Sequence, residues 1–94
     1  MAIRVPVTIV GTRGRVDALA TDISAQGCAL QIPGELPGPG PFGLTLHVGQ
    51  PIEIAAARAR HEAGRVVGVE FRQVTPAEQA KLADYVTRLF KGAS

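Results

Sequence analysis

The sequence predicts a mainly β domain, with six short strands followed by one C-terminal helix in a barrel or sandwich. Three observations carry this. Apolar residues alternate in short runs separated by turn signals rich in Gly and Pro. The period then changes once, near Thr75, to a helical one. Finally, the 94-residue length suits a single domain, taken here as residues 1–94.

The strands follow in order. Ile3 to Val10 alternates, with Val5, Val7 and Ile9 on one face and Arg4, Pro6 and Thr8 on the other. Pro6 lacks an N–H, which places this strand at a sheet edge or beside a bulge. Gly11-Thr12-Arg13-Gly14 turns the chain into a partner strand, Arg15 to Ile23, with Leu19, Thr21 and Ile23 on one face. After Ser24-Ala25-Gln26 comes Gly27, then a third strand with Cys28, Leu30 and Ile32 inward. Pro33 to Gly43 is dominated by Gly and Pro and is a loop. Phe42, Leu44 and Leu46 open a fourth strand, and His47 to Pro51 turns into an alanine-rich fifth, Ile52 to Arg60. His61 to Gly64 reads as a turn, and Arg65 to Arg72 as a sixth strand with Val67, Val69 and Phe71 on one face.

The helix announces itself at its start. Thr75-Pro76-Ala77-Glu78 is a capping box with proline at the first helical position, so Thr75 and Glu78 are expected to cap each other reciprocally. Leu82, Tyr85, Val86, Leu89 and Phe90 then recur at helical spacing over about four turns, and Lys91-Gly92 closes the helix. The stripe is expected to pack on the protein's own sheet, and its apolar character leaves a homodimer open.

Composition narrows the function. Hydrophobic residues make up 46% and aromatics 4%, with no Trp, so the core must be built from Val, Ile, Leu and Ala. A formal net charge of +2 is too weak to argue for a nucleic-acid polymer, but it suits a small anionic ligand if arginines converge. Cys28 is the only cysteine, so no intramolecular disulfide forms, a reducing compartment is expected, and the thiol reads as a small buried hydrophobe. Met-Ala-Ile-Arg-Val-Pro lacks the apolar core of a signal peptide, and no run approaches a spanning helix. The expected setting is the cytoplasm, without membrane insertion.

Catalytic patterns are missing. His47 and His61 lie near turns without Cys or carboxylate partners at metal-ligand spacing. Ser24 lacks the strand-elbow-helix setting of a hydrolase nucleophile. The glycines do not lead into a helix as a phosphate loop would, and aromatic-plus-basic stacking surfaces are lacking. The reading is a protein that is not an enzyme and carries no metal or cofactor.

One stretch stands apart: Thr21-Asp22-Ile23-Ser24-Ala25-Gln26-Gly27. Asp22 offers an acceptor-only carboxylate, Ser24 a donor and acceptor, and Gly27 a backbone that others can approach closely. On spacing alone the structural reading, an Asx- or Ser-type turn with a glycine, takes precedence. Asp22-x-Ser24-x-x-Gly27 resembles the DxSxxG motif of PilZ domains, in its usual place after the second strand. Val67-Gly68-Val69-Glu70-Phe71, followed by a capped amphipathic helix, is similar to the end of such domains, and the resemblance spans nearly the whole chain.

The resemblance implies a six-stranded antiparallel β-barrel of split-barrel type with a flanking helix. It also implies a receptor for the bacterial second messenger cyclic di-GMP, with Asp22, Ser24 and Gly27 facing a guanine base. The family's second motif, RxxxR, binds phosphates and guanine edges from before the first strand. Here only Arg4 stands in that region, with no arginine four positions earlier, so most or all of RxxxR is expected to be missing. A tight hairpin would set Asp22 opposite Ile3 to Val5, bringing Arg4 near Asp22, to pair with it or to reach a ligand phosphate. Arg58, Arg60, Arg65 and Arg72 read as an exposed basic band, either solvated or facing a partner. Two functions follow. The first is a regulatory domain that binds cyclic di-GMP and relays the signal to a protein partner or parent chain, such as a membrane polysaccharide synthase. The second is a degenerate domain that does not bind the nucleotide and acts through protein contacts.

Overall fold

The computed structural model describes residues 2–93. Six strands, β1 (Ala2–Gly11), β2 (Gly14–Ile23), β3 (Gly27–Gln31), β4 (Phe42–Leu46), β5 (Ile52–Ala63) and β6 (Val66–Gln73), precede one helix, α1 (Pro76–Ala93). The strands close into a barrel in the order β1-β2-β3-β6-β5-β4, with every pairing antiparallel. Closure leaves no free edge, so Pro6 sits in a strand flanked on both sides. Its carbonyl accepts from the His47 amide at 2.9 Å, and a bulge between Ala2 and Val5 lies just before it.

The core is aliphatic. Val7, Ile9, Ala20, Leu30, Leu46, Ile52, Ile54 and Ala57 are almost fully buried, joined by Phe42 as the one large aromatic. Alternation places these residues correctly in β1, β3 and β4. In β2 it does not. Ala18 and Ala20 face inward, while Leu19 and Thr21 stay half-exposed, and Ile23 returns to the core because the register slips between Ala20 and Asp22. A bulge adds one residue to a strand and flips the phase of everything after it. The same device lengthens the fifth strand, where register shifts flank Ala56 and lie between Ala59 and His61. β5 therefore runs on to Ala63, so the expected turn at His61 to Gly64 moves to Gly64-Arg65, and the sixth strand begins at Val66. Gly64 takes a left-handed φ of 63°, which a Cβ would disfavour.

Both ends of the barrel are covered. At the β1–β2 hairpin, the Pro33–Pro41 loop packs down: Pro37 is buried, and its carbonyl accepts from the Arg13 amide at 3.0 Å. A Cβ on Gly11 would run into that carbonyl, so the hairpin glycine lets the loop seat. At the other end α1 places Leu82 in the core at 1% exposure, with Tyr85, Val86 and Leu89 packed against it. The helix thus covers its own barrel, but Phe90 stays outside at 64% exposure, and the helical backbone continues through Gly92 to Ala93.

The cap differs from the reciprocal box. Thr75 Oγ1 accepts from the Glu78 amide at 3.5 Å, yet the Glu78 carboxylate does not answer back to Thr75. It accepts instead from the Glu53 amide at 2.9 Å and pairs with Lys81 at 2.7 Å. β6 pairs with β5 only from Ala56 onward, so the Glu53 amide needs an acceptor from elsewhere. Glu78 supplies it, and Lys81 donates to the Pro51 carbonyl at 3.3 Å, tying α1 to the start of β5.

Candidate functional site

The corner between β2 and β3 is held by its own hydrogen bonds. The Ser24 amide donates to the Gly27 carbonyl at 2.9 Å, the Gln26 amide donates to Ser24 Oγ at 3.2 Å, and the Ser24 hydroxyl donates to the Gly27 carbonyl at 3.4 Å. This is the Ser-type turn that the spacing allowed. It leaves Ser24 Oγ with acceptor capacity toward solvent. One residue on, the Gln26 carbonyl accepts from the Phe71 amide at 2.8 Å, stitching the corner to β6.

Gly27 sits where β3 meets β6, paired with Glu70. A Cβ there would collide with the Val69 carbonyl oxygen, a backbone atom that cannot rotate aside. The glycine is therefore required by the close approach of two strands, whatever else it does.

Asp22, Ser24 and Gly27 line one depression of about 390 Å³ on the outer face of the barrel, together with Ala29, Gly68 and Arg60. Its floor is made of small residues, because Ala29 pairs directly with Gly68 across β3 and β6. Asp22 and Ser24, both exposed, stand at the β2 side, and Arg60 comes in from β5. Beneath the floor lies Cys28, whose thiol is pushed up to about 12 by burial and then by the Asp22 charge, which leaves it protonated and unreactive at neutral pH.

Arg4 is placed differently from the expectation. Asp22 pairs with Ala2, and the bulge puts Ile3 and Arg4 against Thr21 alone. Arg4 lines a separate depression of about 520 Å³ farther along β2 and β3, with Asp17, Leu19, Gln31 and Arg65. Hairpin geometry without the bulge had set Arg4 closer to Asp22. The expected basic band also divides. Arg65 turns toward Arg4, while Arg58 and Arg72 line a third cavity beside Gly40 and Pro41. Arg60 alone of the four joins Asp22 and Ser24.

Glu70 organises these cations. Arg72 NH1 pairs with its Oε1 at 2.7 Å, and Arg60 Nε lies 3.5 Å from its Oε2. The Arg72 hydrogen bond holds the Glu70 carboxyl below its ordinary range; desolvation opposes it, and the charges of Arg60, Arg72 and Arg58 add to the lowering. Among the described residues no group of three His, Cys, Asp or Glu side chains comes together to hold a metal ion, and His47 instead lies 2.7 Å from the Thr8 hydroxyl. No helix is long and apolar enough to cross a membrane among the described residues.

The result is a closed barrel covered by its terminal helix, with a polar strand corner beside a small-residue trough on its outer face. The model of the PilZ domain family matches residues 1–88, and the chain belongs to that family. Comparison with curated proteins returned no match.

Proposed function

We propose that this protein is a cyclic di-GMP-binding regulatory domain, without catalytic activity, and that the depression beside the β2–β3 corner takes one guanine of the ligand. The observation that carries the reading is the convergence of Asp22, Ser24 and Gly27 on one depression whose floor is formed by the small residues Ala29 and Gly68. The Asp22 carboxylate accepts from the guanine N1–H and amino group. The Ser24 oxygen accepts a further N–H, and Gly27 lets the base lie close to the backbone. Arg4, in the neighbouring depression, adds positive charge along the same outer face for the remainder of the dinucleotide. The bound state is relayed to a protein partner or a parent chain, such as a membrane polysaccharide synthase, in a cytoplasmic setting.

Calorimetric titration of the chain with cyclic di-GMP at low salt, beside Asp22→Ala, tests this. Loss of the charged acceptor is expected to weaken binding by roughly 10- to 100-fold. Equal affinity in the two proteins would remove the ligand from this corner.

The placement of Arg4 outside the depression favours a second reading, a degenerate domain acting only through protein contacts. Absence of saturable binding at millimolar nucleotide, together with partner capture that survives Asp22→Ala, would select it.

A further inference from the structure

We infer that Arg60 is an additional ligand-binding residue of this depression, exchanging its Glu70 partner for an anionic phosphodiester group of the ligand. The inference rests on the reading of the depression as the dinucleotide site. Four observations support it.

Arg60 is the one arginine that lines the depression with Asp22, Ser24 and Gly27. Its bond to Glu70 is the looser of the two that Glu70 makes, 3.5 Å from Nε against 2.7 Å for Arg72, and its side chain is 59% exposed. It is therefore neither buried nor clamped. Release of Arg60 would not orphan the carboxylate, because Arg72 keeps its short bond and Arg58 stands directly across from Glu70 in the β5–β6 register. Three arginines around one carboxylate leave the patch with surplus positive charge before any ligand arrives. Finally, Arg60 is itself the extra residue of the β-bulge between Ala59 and His61, and a bulge re-aims a side chain that regular pairing would hold in line.

The chemistry fits the exchange. A guanidinium presents a planar fork of donors that matches a phosphodiester's two free oxygens, and such charge-assisted pairs are among the stronger hydrogen bonds. Opposite walls of the depression then carry complementary roles. Asp22 accepts from a base edge, and Arg60 donates to the anionic backbone. The exchange needs only a side-chain rotation, because the trough floor is fixed by the β3–β6 ladder.

The test is calorimetric titration with cyclic di-GMP of wild type, Arg60→Ala, Arg60→Lys, Arg15→Ala and Glu70→Gln, at two salt concentrations. Arg60→Ala is expected to weaken binding about tenfold or more and to flatten its salt dependence, with Arg60→Lys recovering part of the loss. Glu70→Gln, which removes the competing carboxylate, is expected to bind a few-fold more tightly. Wild-type binding that Asp22→Ala weakens and Arg60→Ala leaves intact would overturn this inference while keeping the site. Equal losses in Arg60→Ala and in Arg15→Ala, an exposed arginine that lines neither depression, would overturn it too, since general positive charge would then suffice. No wild-type binding would overturn the site reading and the inference with it.

Discussion

Replacement of Gly27 by alanine and of Gly68 by alanine separates what the barrel needs from what the ligand needs. The two glycines line the same depression, but their surroundings differ sharply. At Gly27 an added Cβ would strike the Val69 carbonyl oxygen, so β3 and β6 must move apart where Gly27 faces Glu70. Forcing one carbon into a packed position of this kind costs about 1–3 kcal/mol. In a domain of this size each kcal/mol moves the melting temperature by roughly 4–8 °C, so a fall of about 5–20 °C is expected. At Gly68 the nearest atoms to an added Cβ are those of His61 at 3.8 Å, an ordinary contact. Gly68→Ala should therefore leave stability unchanged or raise it by up to about 0.5–1 kcal/mol through lost chain entropy. Its methyl group nevertheless lies in the trough, where the base is proposed to rest, so it should weaken cyclic di-GMP binding while the fold holds. Urea unfolding followed by circular dichroism, beside ligand titration, reads both effects. A Gly27→Ala protein as stable as wild type would refute the steric account of the motif glycine. A Gly68→Ala protein with full affinity would refute the trough as the base-binding floor.

Other expected outcomes bear on the helix and the titrating groups. Leu82→Ala should cost about 2–5 kcal/mol, because its side chain is in the core, whereas Phe90→Ala should fall within about 0.5 kcal/mol; chemical denaturation of both variants measures the contrast. Burial raises the Cys28 thiol to about 12 in the folded state, against 9.0 when unfolded, so the stability it contributes is intact below pH 9 and fades as the pH climbs toward 12; thiol labelling at pH 8 should be slow until denaturant is added. Glu78 is held below its ordinary range by the Lys81 hydrogen bond and then by the Glu53 amide, so its contribution is present above the ordinary carboxylate range and lost as the pH falls through its lower folded value. An acid titration should show Glu78→Gln to be less acid-sensitive than wild type.

The strand order of apolar residues was legible wherever alternation ran unbroken. Val5, Val7 and Ile9, Cys28, Leu30 and Ile32, and Phe42, Leu44 and Leu46 all face the core as their spacing predicts. The reading failed where bulges intervene. Ala18 and Ala20 carry the β2 core face, but alanine is too weakly apolar to outweigh Leu19 in a pattern, and the slip at Thr21 is invisible without the partner strand. The same limit hid Arg60. Its place beside Asp22 depends on β3, β6 and β5 lying adjacent and on the register shift at Ala59, and neither is encoded by local spacing. The β2–β3 corner was legible because its motif is contiguous in sequence. Arg4 was expected too near Asp22 because the bulge between Ala2 and Val5 lengthens β1 by one residue. Glu78 shows a competition that sequence alone does not reveal: a capping-box carboxylate is drawn away by the unpaired amide of Glu53 in a neighbouring strand.

The most direct test of the central claim is a map of backbone amide chemical-shift changes in the ¹⁵N-labelled chain as cyclic di-GMP is added. The account predicts saturable changes centred on Asp22 to Ala29, Arg60, Gly68 and Val69, the residues around the outer-face depression, with little change along Tyr85 to Leu89. Changes centred on the helix groove at Lys81, Tyr85 and Arg88, or no changes at millimolar nucleotide, would contradict it.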